Sequence, residues 1–150
     1  MTMVNEIVDT LVKKAKNVKD IEGVKFIKAY KESMTNRDFQ GFVCVANIES
    51  VTQSGQFVGG YHSNGIKGDM YSVKLCLRVY ADNETSGEDL GSTTLKISQA
   101  FTQADDSNII ESYYIGPISF DNQFRSIYRE INLSLEFCLC GELNGKENIN

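Results

Sequence analysis

The chain is short of the residues from which recognisable chemistry is built. Its 150 residues include one histidine, one proline and no tryptophan. The lone histidine, His62, has no evident partner for nucleophile–base catalysis, because Ser63 beside it in sequence does not make a triad. A single proline excludes a proline-rich linker protein. No apolar run reaches the length of a membrane span. The opening MTMVNEIVDTLVKKAK has no apolar signal-peptide core, so the chain is expected to be made and kept in a cytoplasm. No C-x-x-C pair occurs. Cys44, Cys76, Cys138 and Cys140 fall in apolar strand-like runs, where thiols pack as small hydrophobes and do not form a zinc site. Basic patches are also missing. With a net charge of −5, nothing lines up Lys or Arg against phosphates, as sequence-independent nucleic-acid binding requires.

The remaining motif candidates fail on detail. GGYHSNGIKG spaces Gly60 and Gly65 as a phosphate loop would, but Ile66 stands where the lysine belongs. The loop joining a strand ending at Ala81 to the following helix carries Asp82, Glu84, Glu88 and Asp89 and no Lys, Arg or His, so it repels phosphate. Those acids lack the twelve-residue pattern of a calcium loop, and consecutive carboxylates at helix ends cap and solvate better than they pair as acid and base. Tyr61, Tyr113, Tyr114 and Tyr128 have no interleaved Lys or Arg for stacking on nucleic acid and suit the core edge or an interface. No catalytic residue, metal or cofactor is expected.

What is present is a regular alternation of elements. Hydrophobic content of 41% and charged content of 23% are ordinary for one globular domain with a real core. Residues 5–16 place Ile7, Val8, Leu11, Val12 and Ala15 on one helical stripe, with lysines crowding the C-terminal end. Gly23 leads into a strand over 24–34; a turn at 35–38 and a strand over 39–51 complete an antiparallel hairpin. Residues 52–68 hold five glycines and read as a long excursion of functional type, or as a loose hairpin with 56–61 as one arm. Residues 71–81 alternate: Tyr71, Val73, Leu75, Leu77 and Val79 against Ser72, Lys74, Cys76, Arg78 and Tyr80. Thr85-x-x-Glu88 offers a capping box for a helix with Leu90, Thr94, Ile97, Phe101 and Ala104 on its inner stripe. A strand over 109–120, broken at Gly116-Pro117 as an edge or bulge would be, and a last strand over 124–140 follow. That last strand points Ile127, Ile131, Leu133, Leu135, Phe137 and Leu139 one way, with Arg129 as the exception. The order α-β-β-(long loop)-β-α-β-β predicts an α+β domain over residues 1–142. It has a single mixed, mainly antiparallel sheet with both helices on one face, and 143–150 form a polar tail.

The second sheet face is expected to be apolar too. Phe42, Cys44, Ala46 and Ile48 alternate with Val43 and Val45 on one strand, and Cys76, Tyr80, Tyr128, Cys138 and Cys140 fall off-face on others. Strands apolar on both sides are buried on both sides, and a second subunit would supply the cover; bulges that shift the parity, or the 52–68 segment folded over this face, are the alternatives. Phe42, Cys44, Ala46, Ile48, Cys76, Tyr80, Tyr128 and Cys138 are therefore candidate interface residues.

The arrangement resembles the tail terminator proteins of long-tailed bacteriophages. The likeness spans most of residues 1–142. It rests on the start NEIVDTLVKKAK, the strand YSVKLCLRVYAD running into SGEDLGSTTLKISQAF, and the closing SIYREINLSLEFCL. It implies a non-enzymatic virion protein, assembled in the host cytoplasm into a hexameric ring. The ring would cap the head-proximal end of the tail tube, stop its growth and offer a docking surface to neck or sheath proteins. DNA would pass through the bore without specific binding, since an acidic wall repels it. The glycine-rich segment, with Gln56, Phe57, Tyr61, His62 and Ile66, is the expected part that orders on tube or neck. Another neck component, the terminator of a headless tail-like bacteriocin, or a small-molecule enzyme or binding domain centred on His62, Arg78 or Tyr128 remain the alternatives.

Overall fold

The computed structural model describes residues 2–18, 21, 23–28, 41–53, 61–63, 66–81 and 87–142. Two helices, α1 (Thr2–Lys16) and α2 (Gly87–Ala104), accompany seven strands. The strands are β1 (Val24–Lys28), β2 (Phe42–Gln53), β3 (Tyr61–Ser63), β4 (Ile66–Ala81), β5 (Ile110–Ile115), β6 (Ser119–Asp121) and β7 (Ser126–Glu142). All belong to one sheet in the order β1-β2-β4-β7-β5, with β3 added to β4 and β6 to β7. Every pairing is antiparallel except β1 with β2. The fold is the expected α+β sandwich of a mixed, mainly antiparallel sheet with two helices.

The spine is the β4–β7 ladder, paired without a break from Ile66↔Glu142 to Tyr80↔Tyr128. Alternation along it sends Val73, Leu75, Leu77 and Val79 of β4, with Ile131, Leu133, Leu135 and Phe137 of β7, into the core. α2 lies over β4, β7 and β5, with α1 beside it. Leu90, Ile97 and Phe101 of α2 and Val4, Val8, Leu11 and Ala15 of α1 are buried, each apolar side chain larger than alanine contributing about 1.5–3 kcal/mol by burial. The helical stripes are those the periodicity predicts. Thr94 and Ser98 sit fully buried on the inner side of α2. Their hydroxyls donate to the carbonyls of Leu90 and Thr94, at 2.7 and 3.1 Å, so no buried donor is wasted. Arg129 shares the helix-facing side of β7, and its Nε donates to the Gly116 carbonyl at 2.8 Å.

The end of α2 is fixed by a carboxylate. Asp105 accepts hydrogen bonds from the backbone amides of Ile109 and Ile110 at 2.9 and 2.8 Å, while Asn108 takes the left-handed conformation (φ 57°) that turns the chain into β5. Lys14 of α1 reaches Asp106 at 2.9 Å, tying the last turns of the two helices together.

Two expectations about the strands need correction. β1 and β2 do not form a hairpin: Val24 pairs with Phe42 and Lys28 with Ala46, in parallel. Residues 29–41 separate them, enough chain for the connection that parallel neighbours require and a tight turn cannot provide; the expected turn at 35–38 lies outside the described residues. The segment 52–68 is not wholly loop either. β2 runs on to Gln53, and Tyr61–Ser63 pairs with Ile66–Gly68. The strand expected at 109–120 splits, as its glycine and proline suggest, into β5 and β6 on the same edge of β7. The capping box at Thr85 and the tail 143–150 lie outside the described residues.

Replacing Phe101, which is fully buried and packs against Phe26 at 6.4 Å between ring centroids, with alanine should cost about 3–5 kcal/mol in denaturant unfolding. Gly91→Ala should do the opposite, by about 0.5–1 kcal/mol. Among the described residues, its Cβ would meet only Nη1 of Arg129, at 3.4 Å.

Candidate interaction surface

The face of the sheet opposite the helices is read directly from the register. Val43, Val45 and Asn47 of β2 stand opposite Tyr80, Arg78 and Cys76 of β4, which in turn oppose Tyr128, Glu130 and Asn132 of β7. Phe42, Cys44, Ala46 and Ile48 have the other parity. They pair with Ala81, Val79, Leu77 and Leu75 and pack into the helix-covered core. Their assignment to a subunit interface is corrected: both parities of β2 are apolar, so only the pairing register could say which side meets the helices. Cys76, Tyr80, Tyr128 and Cys138 do lie on the uncovered face.

That face is not the apolar surface expected of it. The guanidinium of Arg78 donates from Nε and Nη2 to one Glu130 oxygen at 3.0 and 2.6 Å. It also stacks over the Tyr128 ring, 4.4 Å from the centroid. The Tyr80 hydroxyl donates to Asp121 at 2.8 Å. The Tyr80 ring meets Phe124 edge-on at 5.6 Å and Tyr128 at 5.3 Å. Asp121 also accepts from the amides of Gln123 and Phe124, at 2.8 and 3.1 Å, and so builds the turn that leads into β7. Arg125 completes the turn at φ 55°, its amide donating to the Asp121 carbonyl. Towards the far end of the ladder, Lys74 donates to Ser134 and Ser72 to Glu136. The chain therefore covers much of this face itself. Val43, Cys76 and Tyr80 are buried although neither described helix lies over them. The idea that a second subunit is needed to hide them does not survive.

Titration reflects the same packing. Burial, and then the nearby carboxylates of Glu130 and Glu49, push the Cys76 thiol up to about 11. Burial, with the Arg78 hydrogen bond pulling the other way, pushes the Tyr80 hydroxyl up to about 12. Cys44, enclosed on the helix side, is raised by burial as well. For Arg78 burial opposes the charge, but the hydrogen bonds with Tyr80 and Glu130 outweigh it and the guanidinium is held above its ordinary value. Cys44, Cys76 and Cys138 are thiols outside any disulfide; Cys138 is exposed, contrary to its expected packing. Among the described residues no three His, Cys, Asp or Glu side chains are grouped to hold a metal ion, and no helix is long and apolar enough to cross a membrane.

The polar set around Arg78 and Tyr128 thus converges, but its members saturate one another on a sheet face. Two open grooves of the described fold lie elsewhere. One runs between α1 and the β1–β2 edge, the other between α1 and the 104–109 turn. His62 sits in β3 and Ile66 opens β4, so with Tyr61 they belong to one hairpin; Gln56 and Phe57 lie outside the described residues. The uncommitted surface is the β5–β6 edge. Tyr114 is 65% exposed and Phe120 58%, with Tyr113 and Ile118 also open to solvent. The sequence flagged Tyr113, Tyr114 and the edge proline, but not the Arg78–Glu130 pair, whose signal exists only once β4 and β7 are in register.

No protein-family model and no curated protein matches the chain at a significant level.

Cys76 and Tyr80 are both held protonated in the folded state, so they contribute stability that is complete below their ordinary values of 9.0 and 10.0. It is lost as pH climbs through the raised ones. The thermal midpoint should hold steady up to about pH 9 and then fall until about pH 12. Cys76→Ala should flatten the lower part of that fall and Tyr80→Phe the upper part, both read from unfolding curves at stepped pH.

Proposed function

We propose that the protein is a structural assembly component, a tail terminator that rings the head-proximal end of a phage-type tail tube. The observation carrying this reading is the β5–β6 edge. Within eight residues it exposes Tyr113, Tyr114, Ile118 and Phe120, a concentration of large apolar groups that marks a surface made for contact. The resemblance of the sequence to tail terminators supplies the kind of contact. The saturated polar network on the sheet face supports it, since a rigid scaffold with no unspent chemical groups suits recognition by shape and area.

Capping needs three things of such a chain. It must bind its own copies, sit on the last tube ring, and offer a different surface to the neck. The β3–β4 hairpin, holding Tyr61, His62 and Ile66, is our candidate for the tube or neck contact. It lies at the end of the β4–β7 ladder, five pairs past Tyr71↔Phe137, where the buried core stops. Glu88 and Asp89 are exposed at the start of α2, in a chain of net charge −5. Acidic walls of this kind let DNA pass, because binding would release no counterions from it.

The test is tube growth. Purified tail-tube subunit, polymerising alone, should lengthen without limit. With this protein added, tube length should become fixed and the protein should be found at one end by electron microscopy. Unchanged growth with no end-bound density would remove the proposal.

A further inference from the structure

We infer that copies of this chain join head to tail, with the β5 edge of one adding to the β1 edge of the next. The inference deepens the ring reading and rests on it only for closure.

Four observations carry it. First, β1 and β5 are the two ends of the described sheet order, so each presents one unpaired side of its backbone within that order. Second, the directions agree. From β5 through β7, β4 and β2 to β1 there are three antiparallel steps and one parallel step. Two copies related without flipping the sheet therefore meet as an antiparallel pair.

Third, the faces agree. A sheet continued across such a junction keeps its helices on one side. On that side the β5–β6 edge offers Tyr113 and Phe120, opposite Leu133 and Ile127. On the same side of the next copy, an open groove of about 590 Å³ between α1 and the β1–β2 edge is lined by Val8, Val12, Phe26 and Ile48. Exposed aromatics meet a groove of mixed lining, these apolar side chains beside Asn5, Asp9, Lys13, Lys16 and Asn47, that the chain's own described residues leave open.

Fourth, the charges agree. Residues 110–120, from β5 into β6, hold one acid, Glu111, and no Lys or Arg, while β1 holds Lys25 and Lys28 and no acid. Exposed Glu111 on β5 and exposed Lys25 on β1 represent the two signs. A two-fold pairing of β5 with β5, or of β1 with β1, would set like charge on like and leave the groove empty. The head-to-tail pairing alone matches both, and a heterologous contact repeated around an axis closes a ring.

Lys25→Glu and Glu111→Lys change exposed positions and should leave the fold intact by circular dichroism. In native mass spectrometry across rising protein concentration, the wild-type chain should associate beyond dimers. Each variant alone should associate about a hundredfold more weakly. An equimolar mixture of the two should recover, because every mixed junction pairs opposite charges again. Association that persists in either variant, fails to recover in the mixture, or never occurs in the wild-type chain overturns the junction. Tube capping is read separately at tube ends. Capping by a chain whose variants still associate would discard the junction and keep the function; recovery in the mixture without capping would do the reverse.

Discussion

The β4–β7 pairing is the constraint on which the rest of the structure depends. Fifteen consecutive residue pairs leave no freedom of register, and in a strand pair the register decides which side chains share a face. A slip of one residue would turn Leu75, Leu77, Ile131 and Leu133 to water and drive Arg78, Glu130 and Lys74 under the helices, stranding buried charge. The helices have no separate instructions for where to sit. Their stripes go to the only continuous apolar surface, which this ladder makes, and α2 can keep Thr94 and Ser98 inside it because both hydroxyls are spent on its own backbone.

The same register settles what the other face is. Arg78 with Glu130, Lys74 with Ser134 and Ser72 with Glu136 are direct cross-strand partners, so the polar groups of one strand meet those of the next at the distance where they satisfy one another. Around Tyr80 the sheet needs more than a neighbour, since a phenol buried without a partner would be costly. Asp121 answers that need from the turn between β6 and β7, and its other oxygen holds the turn's own amides. One carboxylate thus links the local geometry of a turn to the cover of a sheet face, and the chain hides its central aromatics without help.

This is also where the sequence stopped being readable. The two helical stripes, the alternation of 71–81 and the break at Gly116-Pro117 are local patterns, and local patterns fix local structure. Which side of β2 faces the helices is not local: Val43 and Cys44 are both small, apolar and buried, and only the partner strand tells them apart. The parallel pairing of β1 with β2 is likewise invisible from neighbouring residues, because it depends on the path of the intervening chain. The candidate surface divides along the same line. Tyr113, Tyr114 and Pro117 signal an edge by composition, whereas Arg78 and Glu130 become a pair only through a ladder that joins residues 52 positions apart.

With the sheet faces both accounted for, the unsatisfied surface of the chain shifts to the edges, and this changes the kind of assembly that physics favours. An apolar face stacked on another face gives a closed pair, since the same patch serves both partners. An edge is directional: its strand runs one way, and here β5 carries exposed Glu111 where β1 carries exposed Lys25. Joined head to tail as proposed, such a molecule would have a donor side and an acceptor side, and each contact would leave both a free donor and a free acceptor on the product. Growth then stops only by closing on itself. The right-handed twist of strands sets a constant rotation between successive copies, so the curvature needed for closure is a property of the sheet and not of any special residue. The proposed capping role would gain from this, because a closed ring would have no lateral site left and would turn all further contact to its two flat sides.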